Sequence, residues 1–302
     1  MEKRRLAGLD IGTNTILLLI ADIDENGNID VIRDEHNIAR LGEGVDKTGI
    51  INVNALERAC SVLREYRVLC DEHGVEKINT GATSALRDAR NSAEIREKLA
   101  EIIGTRIRVL SGEKEAEISF MGTVRDDDHS VVLDIGGGST EIIKGTNREL
   151  ESRKSLQTGA VRLTERFFSS QPPSEYEIIQ AVKAIRSELN NIDIRDKDIK
   201  YYAVAGTPTT IAAVSMGLAD FEREKIEGYM LSLDEMIDVL EIFFKSDTEH
   251  LITKLNIHPK RADVITAGGL ILKEFTSMLG FSECIVSTRG LRFGLLLEAA
   301  RI

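Results

Sequence analysis

The chain has 302 residues, enough for two domains at about 150 residues each. Apolar residues make up 42% and charged residues 29%, an ordinary globular composition that excludes wholesale disorder. The 39 basic and 50 acidic side chains leave a net charge of −11, which argues against a broad nucleic-acid or anionic-membrane surface.

Strands and helices alternate along the chain. Leu6 to Ile11 and Thr15 to Ile23 read as two strands about a Gly-Thr-Asn turn. Asn54 to His73 reads as a helix, with Asn54 and Glu57 at capping-box spacing and Gly74 as its stop. Val75 to Thr80 is strand-like. Ser92 is expected to cap a second helix, with the stripe Ile95, Leu99, Ile102 and Ile103, ending at Gly104. Arg106 to Leu110 reads as a strand and Glu113 to Val124 as a helix. A charged stretch, Arg125-Asp-Asp-Asp-His129, then precedes the strand Ser130 to Ile135 and a second short strand, Thr140 to Lys144.

Here the chain restarts. Leu9-Asp10-Ile11-Gly12 and Leu133-Asp134-Ile135-Gly136 share four residues and a context: strand, hydroxyl-bearing glycine turn, strand. That points to a duplicated domain. The expected domains are 1–124 and 125–302, with the terminal helix free to pack back on the first. The second half continues with a Pro172-Pro173 break, a helix from Ser174 to residue 191, and a strand from Tyr201 to Ala205. Helices follow at Leu233 to Phe244 and Arg261 to Met278, then a strand at Cys284 to Ser287 and a helix at Leu291 to residue 301. The class is α/β.

Several functions are excluded. The longest apolar run, Ile16 to Ala21, falls far short of the roughly 20 residues that span a bilayer. Asp10 interrupts the start where a signal peptide would still be apolar, so a cytoplasmic protein is expected. Cys60, Cys70 and Cys284 form no C-x-x-C pair, and the five histidines are scattered, so zinc is not expected. Without tryptophan there is little to stack single-stranded nucleic acid.

None of this excludes a small anionic substrate held by backbone N–H groups, one or two arginines and a metal ion. The densest constellation is Asp134-Ile-Gly-Gly-Gly-Ser-Thr-Glu141. Gly136, Gly137 and Gly138 form a turn that can aim several N–H groups at one anion, and Ser139 adds a hydroxyl. Three consecutive glycines cost entropy that a plain hairpin does not require. Asp134 and Glu141 flank the turn and suit a hydrated Mg²⁺. Asp10-Ile-Gly-Thr-Asn-Thr15 is the partner turn; alone it is common turn chemistry, and taken with the second turn it suggests a phosphate gripped between two domains. In Gly81-Ala-Thr-Ser-Ala-Leu-Arg-Asp-Ala-Arg90, either Arg87 or Arg90 suits a phosphate clamp, and a surface ion pair is the equal alternative. Gly206 and Thr207 open a strand-to-helix turn, with Pro208 suited to the first helical position. Glu113, Glu115 and Glu117 read as an acidic first turn that favours the helix dipole. Lys260-Arg261-Ala-Asp263 reads as an ordinary helix start.

Taken in order, these motifs resemble the exopolyphosphatase / guanosine-pentaphosphate phosphohydrolase family. The matching stretches are Asp10-Ile-Gly-Thr-Asn-Thr15, Arg40-Leu-Gly-Glu-Gly44, Ala82 to Asn91, Ser111-Gly-Glu-Lys-Glu-Ala116, Asp134 to Glu141, Gly159-Ala-Val-Arg-Leu163, Gly206-Thr207 and Arg261 to Gly268. They run from Leu9 to about Leu297. The resemblance implies two duplicated actin-like (ribonuclease H-like) domains with an interdomain active-site cleft. It also implies Glu115 as catalytic base, which overrides the dipole reading there. Arg87, Thr13, Asn14 and Gly136 to Ser139 would bind phosphate, with Gly206 and Thr207 beside them. Asp134 and Glu141 would be the acidic Mg²⁺ positions, with Asp10 as their counterpart on the first turn; Mn²⁺ is an alternative ion. Thr13 and Thr15 stand where the family usually has Ser, and Phe293 where it usually has Glu. The chain resembles the short members, without the extra C-terminal helical domain.

The function expected is Mg²⁺-dependent release of terminal orthophosphate from polyphosphate or guanosine pentaphosphate, by a protein compatible with a homodimer. One alternative is a nucleotide-binding sensor without turnover. The other is an ATP-dependent kinase, which calls for Gly-Gly-x-x-Ser/Thr; Gly268-Gly269-Leu-Ile-Leu272 has the glycines but not the hydroxyl.

Overall fold

The structure is a computed structural model that describes residues 3–125, 129–146, 149–189, 192 and 199–300. The chain forms two compact units: Met1–Arg125 with Arg289–Ile302, and Asp126–Thr288. The charged residues 126–128 and the ends of the helices expected to reach 191 and 301 lie outside the described residues.

The first unit begins with β1 (Arg4–Ile11), β2 (Thr15–Ile23) and β3 (Ile29–Ile38), followed by α1 (Val45–Thr48) and α2 (Val53–Glu72). Then come β4 (Lys77–Ala82), α3 (Ser84–Asp88), α4 (Ser92–Ile103) and α5 (Gly112–Thr123). The sheet order is β3-β2-β1-β4, with β1 antiparallel to β2 and parallel to β4. Arg106 to Leu110 is not a full strand. It forms a single parallel bridge between Val109 and Ala82. The helix starts also differ from expectation. Asn52, not Asn54, caps α2, its side chain accepting from the Ala55 N–H at 2.9 Å. Ser92 is the first residue of α4, whose N-cap Asn91 makes no side-chain cap bond.

The second unit contains β5 (Ser130–Ile135), β6 (Thr140–Thr146), β7 (Glu149–Leu156), α6 (Ala160–Phe167) and α7 (Glu175–Leu189). It continues through β8 (Lys200–Val204), α8 (Gly206–Ser215), α9 (Arg223–Ile226), β9 (Met230–Ser232), α10 (Leu233–Phe243), α11 (Thr248–Thr253), α12 (Ile265–Met278) and β10 (Glu283–Ser287). Its sheet order is β7-β6-β5-β8-β10-β9. Here β5 is antiparallel to β6 and parallel to β8, so β7-β6-β5-β8 repeats the order and directions of β3-β2-β1-β4. All six residues of β5 are buried, as a central strand covered on both faces requires. The duplicated α/β architecture implied by the Leu-Asp-Ile-Gly repeat is therefore present.

The last helix, α13 (Leu291–Ala300), completes the first unit by packing on β1 and α5. The approach of α5 and α13 is backbone to backbone. A Cβ on Gly294 would lie 1.8 Å from the Ile118 carbonyl oxygen, so only glycine permits this spacing. The polar ties are also specific. Arg292, 4% exposed, pairs bidentately with Asp34 of β3 at 2.7 and 2.9 Å and donates to the Arg289 carbonyl. The Arg289 and Arg292 guanidinium groups both lie over the Phe293 ring, 4.4 and 5.2 Å from its centroid. Phenylalanine at this position therefore serves packing within the first unit.

Asp34→Asn is expected to destabilise the protein by about 3–5 kcal/mol, because Arg292 stays buried without its carboxylate. Burial alone would raise the Asp34 pKa, but hydrogen bonds from His36 and Arg292 outweigh it and hold the carboxyl well below its usual range. A carboxyl depressed in the folded state stabilises fully above its unfolded value of about 4 and loses that contribution as pH falls toward the folded value. Urea unfolding at pH 7 and pH 3 therefore separates wild type from variant at pH 7 and brings them closer at pH 3.

Candidate active site

Each unit carries a hairpin turn of the same construction. In the first, the Gly12 N–H donates to the Thr15 carbonyl at 3.0 Å; in the second, the Gly136 N–H donates to Ser139 at 3.0 Å. Both turns have their carbonyls held by a following segment. The Gly136 carbonyl accepts from the Ala160 N–H (2.9 Å), and Gly137 accepts from Val161 and Arg162 (2.8 and 3.0 Å), all at the start of α6. The Gly138 carbonyl accepts from the Arg162 Nε at 2.7 Å. In the first unit, Thr13 and Asn14 carbonyls accept from the Gly42 and Arg40 N–H groups at 2.8 and 2.9 Å.

A trans peptide points its C=O and the next N–H in opposite directions. Holding the carbonyls on one side therefore turns the amides to the other. The amides of Gly137 and Gly138, and in the first turn that of Asn14, meet no acceptor among the described residues. Successive backbone N–H groups presented this way form an anion receptor. Gly159 is what allows α6 to hold the second turn so closely. A Cβ there would fall 2.5 Å from Gly137 backbone atoms and 2.6 Å from Gly138.

The acids around the two turns differ. Asp134 and Glu141 are direct cross-strand partners, so their side chains share one face of the sheet, and both are buried. Glu141 accepts from the Ser155 hydroxyl at 2.7 Å. Across from Asp10 the first hairpin places Leu17. The paired carboxylates of the second hairpin suit a hard divalent cation, which takes one or two carboxylates and completes its shell with water and phosphate oxygens. Among the described residues no group of three His, Cys, Asp or Glu side chains stands ready to hold a metal.

The Thr13 and Asn14 side chains are placed differently. The Thr13 hydroxyl lies 2.7 Å from the Ser84 hydroxyl and accepts from the Ala85 N–H at 3.2 Å, so it ties the turn to α3. Its methyl occupies the space that a Cβ on Gly42 would take. The Asn14 side-chain oxygen is buried without a hydrogen-bond partner among the described residues, a polar atom that a bound water or ion would complete.

The structure brings Glu115 and Arg87 together. Ser111 caps α5 by accepting from the Lys114 N–H at 3.2 Å, which sets Glu115 in the first turn. The three acids read together from sequence separate: Glu113 and Glu115 share the first turn, where Glu113 is exposed and Glu115 buried, and Glu117, one turn on, pairs with Lys114. Arg87, in the last turn of α3, donates through Nη1 to Glu115 Oε2 at 2.9 Å and to the Leu110 carbonyl at 2.8 Å. Arg90 instead reaches the Thr48 carbonyl.

At the β8–α8 turn, Ala205 sits at φ 77°, a conformation costing a non-glycine residue about 1–3 kcal/mol. Pro208 is the third helical residue of α8, not the first. Arg261, read from sequence as part of a helix start, donates to the Gly206 carbonyl at 2.9 Å and the Thr210 hydroxyl at 2.8 Å. Burial pulls its guanidinium down to about 10. No spacing rule links Arg261 to Gly206, which lies 55 residues earlier. Gly268 and Gly269 are buried inside α12, where Gly268 packs on Thr207.

Residues 19–301 match the Ppx/GppA phosphatase family, and the chain belongs to that family. It is 36% identical, over 97% of its length, to the bifunctional 3-dehydroquinate synthase/phosphatase of Fusobacterium nucleatum, of which it spans 46%. It is 32% identical to exopolyphosphatase 2 of Mycobacterium tuberculosis, over 99% of this chain and 100% of that one. Among solved structures, an exopolyphosphatase-like protein superposes with a TM-score of 0.93 at 30% identity, covering 100% of this chain and 99% of the other. The Aquifex aeolicus member of the Ppx/GppA family superposes at 0.84 and 30% identity, covering 99% and 98%.

No helix among the described residues is long and apolar enough to cross a membrane.

Proposed function

We propose that the chain hydrolyses terminal phosphoanhydrides, releasing orthophosphate from inorganic polyphosphate, with guanosine pentaphosphate as a second substrate of the same chemistry. The observation that carries this reading is the second turn. Its carbonyls are held by α6, its Gly137 and Gly138 amides meet no acceptor among the described residues, and two buried carboxylates lie side by side beside it. Amides fixed before the reaction stabilise charge that develops on phosphoryl oxygens without reorganising. Glu115 accepts the proton of the attacking water as the terminal P–O bond breaks and the shortened chain departs. Arg87 fixes the Glu115 carboxylate in place. Asp134 and Glu141 would hold Mg²⁺, or Mn²⁺ in its stead, and the ion would offset phosphate charge. Gly268 and Gly269 lie buried within α12 and not in a loop, which supports a hydrolase over a kinase.

The test is orthophosphate release from polyphosphates of graded length, guanosine pentaphosphate and ATP, with Mg²⁺ and with EDTA. Release from polyphosphate, loss with EDTA and near-inert ATP are expected. Tight nucleotide binding with no release from any substrate would make the protein a sensor. ATP turnover only with an added acceptor would make it a kinase.

A further inference from the structure

The two anion-receiving turns are held by different means. The second rests on the first amides of α6, a regular helix whose geometry is self-supporting. The first rests on the segment Arg40-Leu-Gly42, which is irregular. Arg40 sits at φ 52°, in the left-handed region that a non-glycine side chain disfavours. Something outside the segment must hold it there.

We propose that Arg58 is the positioning residue for the first phosphate turn. It lies on α2 and outside every motif shared with the family. Its Nε donates to the Ala39 carbonyl at 2.7 Å, and its Nη2 to the Arg40 carbonyl at 3.2 Å and Glu43 Oε2 at 2.7 Å. The guanidinium thus grips the carbonyls of the two peptides that flank the Arg40 Cα. The same residue, Arg40, and its neighbour Gly42 supply the N–H groups that hold the Asn14 and Thr13 carbonyls. Asn52 joins the brace: while its Oδ1 caps α2, its Nδ2 donates to the Glu43 carbonyl at 3.2 Å. The chain of contacts runs from α2 through residues 39–43 to the carbonyls of Thr13 and Asn14, and through the Thr13–Asn14 peptide to the Asn14 amide. Arg58 acts through this segment and not on substrate. A planar fork with several donors is needed to grip two carbonyls and a carboxylate at once; a lysine ammonium replaces only part of it.

The inference rests on the reading that the first turn receives phosphate. Its test uses the full chain with Arg58→Met, which keeps the apolar stem, and Arg58→Lys. KM and kcat are measured on polyphosphate. Backbone hydrogen exchange is followed without substrate over residues 10–17 and 38–44. In Arg58→Met, KM is expected to rise about tenfold with kcat within about threefold of wild type, the pattern of lost binding rather than lost chemistry. Exchange should quicken in both segments, and Arg58→Lys should recover part of each change. An unchanged KM with a lowered melting temperature, or faster exchange confined to α2, overturns the proposal. If wild type itself releases no phosphate, the functional reading fails, and the exchange data alone decide whether Arg58 holds the turn.

Discussion

Glu115→Gln is expected to lower orthophosphate release from polyphosphate by about 10²–10⁴-fold, the range lost with a general base. The exchange is nearly isosteric. A glutamine oxygen can still accept from Arg87 Nη1, which stands 2.9 Å from the carboxylate and is also held by the Leu110 carbonyl. What disappears is the capacity to take a proton. Substrate binding should therefore survive, with KM changed far less than kcat. A purely structural ion pair makes the opposite forecast: a lower melting temperature and nearly normal turnover. Steady-state kinetics with a thermal melt decide between them, and turnover within a few-fold of wild type would remove Glu115 from the mechanism.

The second large effect is expected from Gly159→Ala. The new methyl would stand 2.5–2.6 Å from the backbone of Gly137 and Gly138, closer than real Cβ contacts come. The turn and the start of α6 must separate, and the amides of the turn then leave their alignment. Misplacement of groups near the reaction by about 1 Å can cost about 100-fold, so kcat/KM should fall by at least that factor. The β5–β6 ladder and the core beneath it do not depend on this contact. The melting temperature should fall much less than activity does. Wild-type kcat/KM in a folded Gly159→Ala protein would mean that the second turn is not a phosphate receptor.

The parts of the fold that were legible in the sequence are those where one residue type has one role. Leu133-Asp134-Ile135-Gly136 repeats Leu9-Asp10-Ile11-Gly12, and the repeated words fall on equivalent central strands and turns. The strands β3 and β7 were not legible. Both are edge strands, and residues such as those of Ile29–Ile38 are mostly half-buried or exposed, so neither shows a clean alternation. Arg106 to Leu110 shows the reverse failure. Its composition suits a strand, but Val109 makes only a single bridge. At the candidate site, the two glycine turns could be located from sequence, because each repeats the same strand-turn-strand words. Their supports could not: Arg58, Arg162 and Arg261 act on backbone carbonyls 18–55 residues away, and a carbonyl has no letter in a sequence.

The return of α13 to the first unit bears on how the protein is made. The second unit is one unbroken stretch, Asp126–Thr288, and all of it precedes α13 in the chain. The first unit is not. Its β3 waits for Arg292, β4 waits for Glu298, and β1 waits for the backbone of α13 at Gly8. Of the two units, the one whose strands come earlier in the chain is therefore the later to be finished. During translation, the newborn N-terminal sheet must spend the whole synthesis of its neighbour with the surface meant for α13 uncovered.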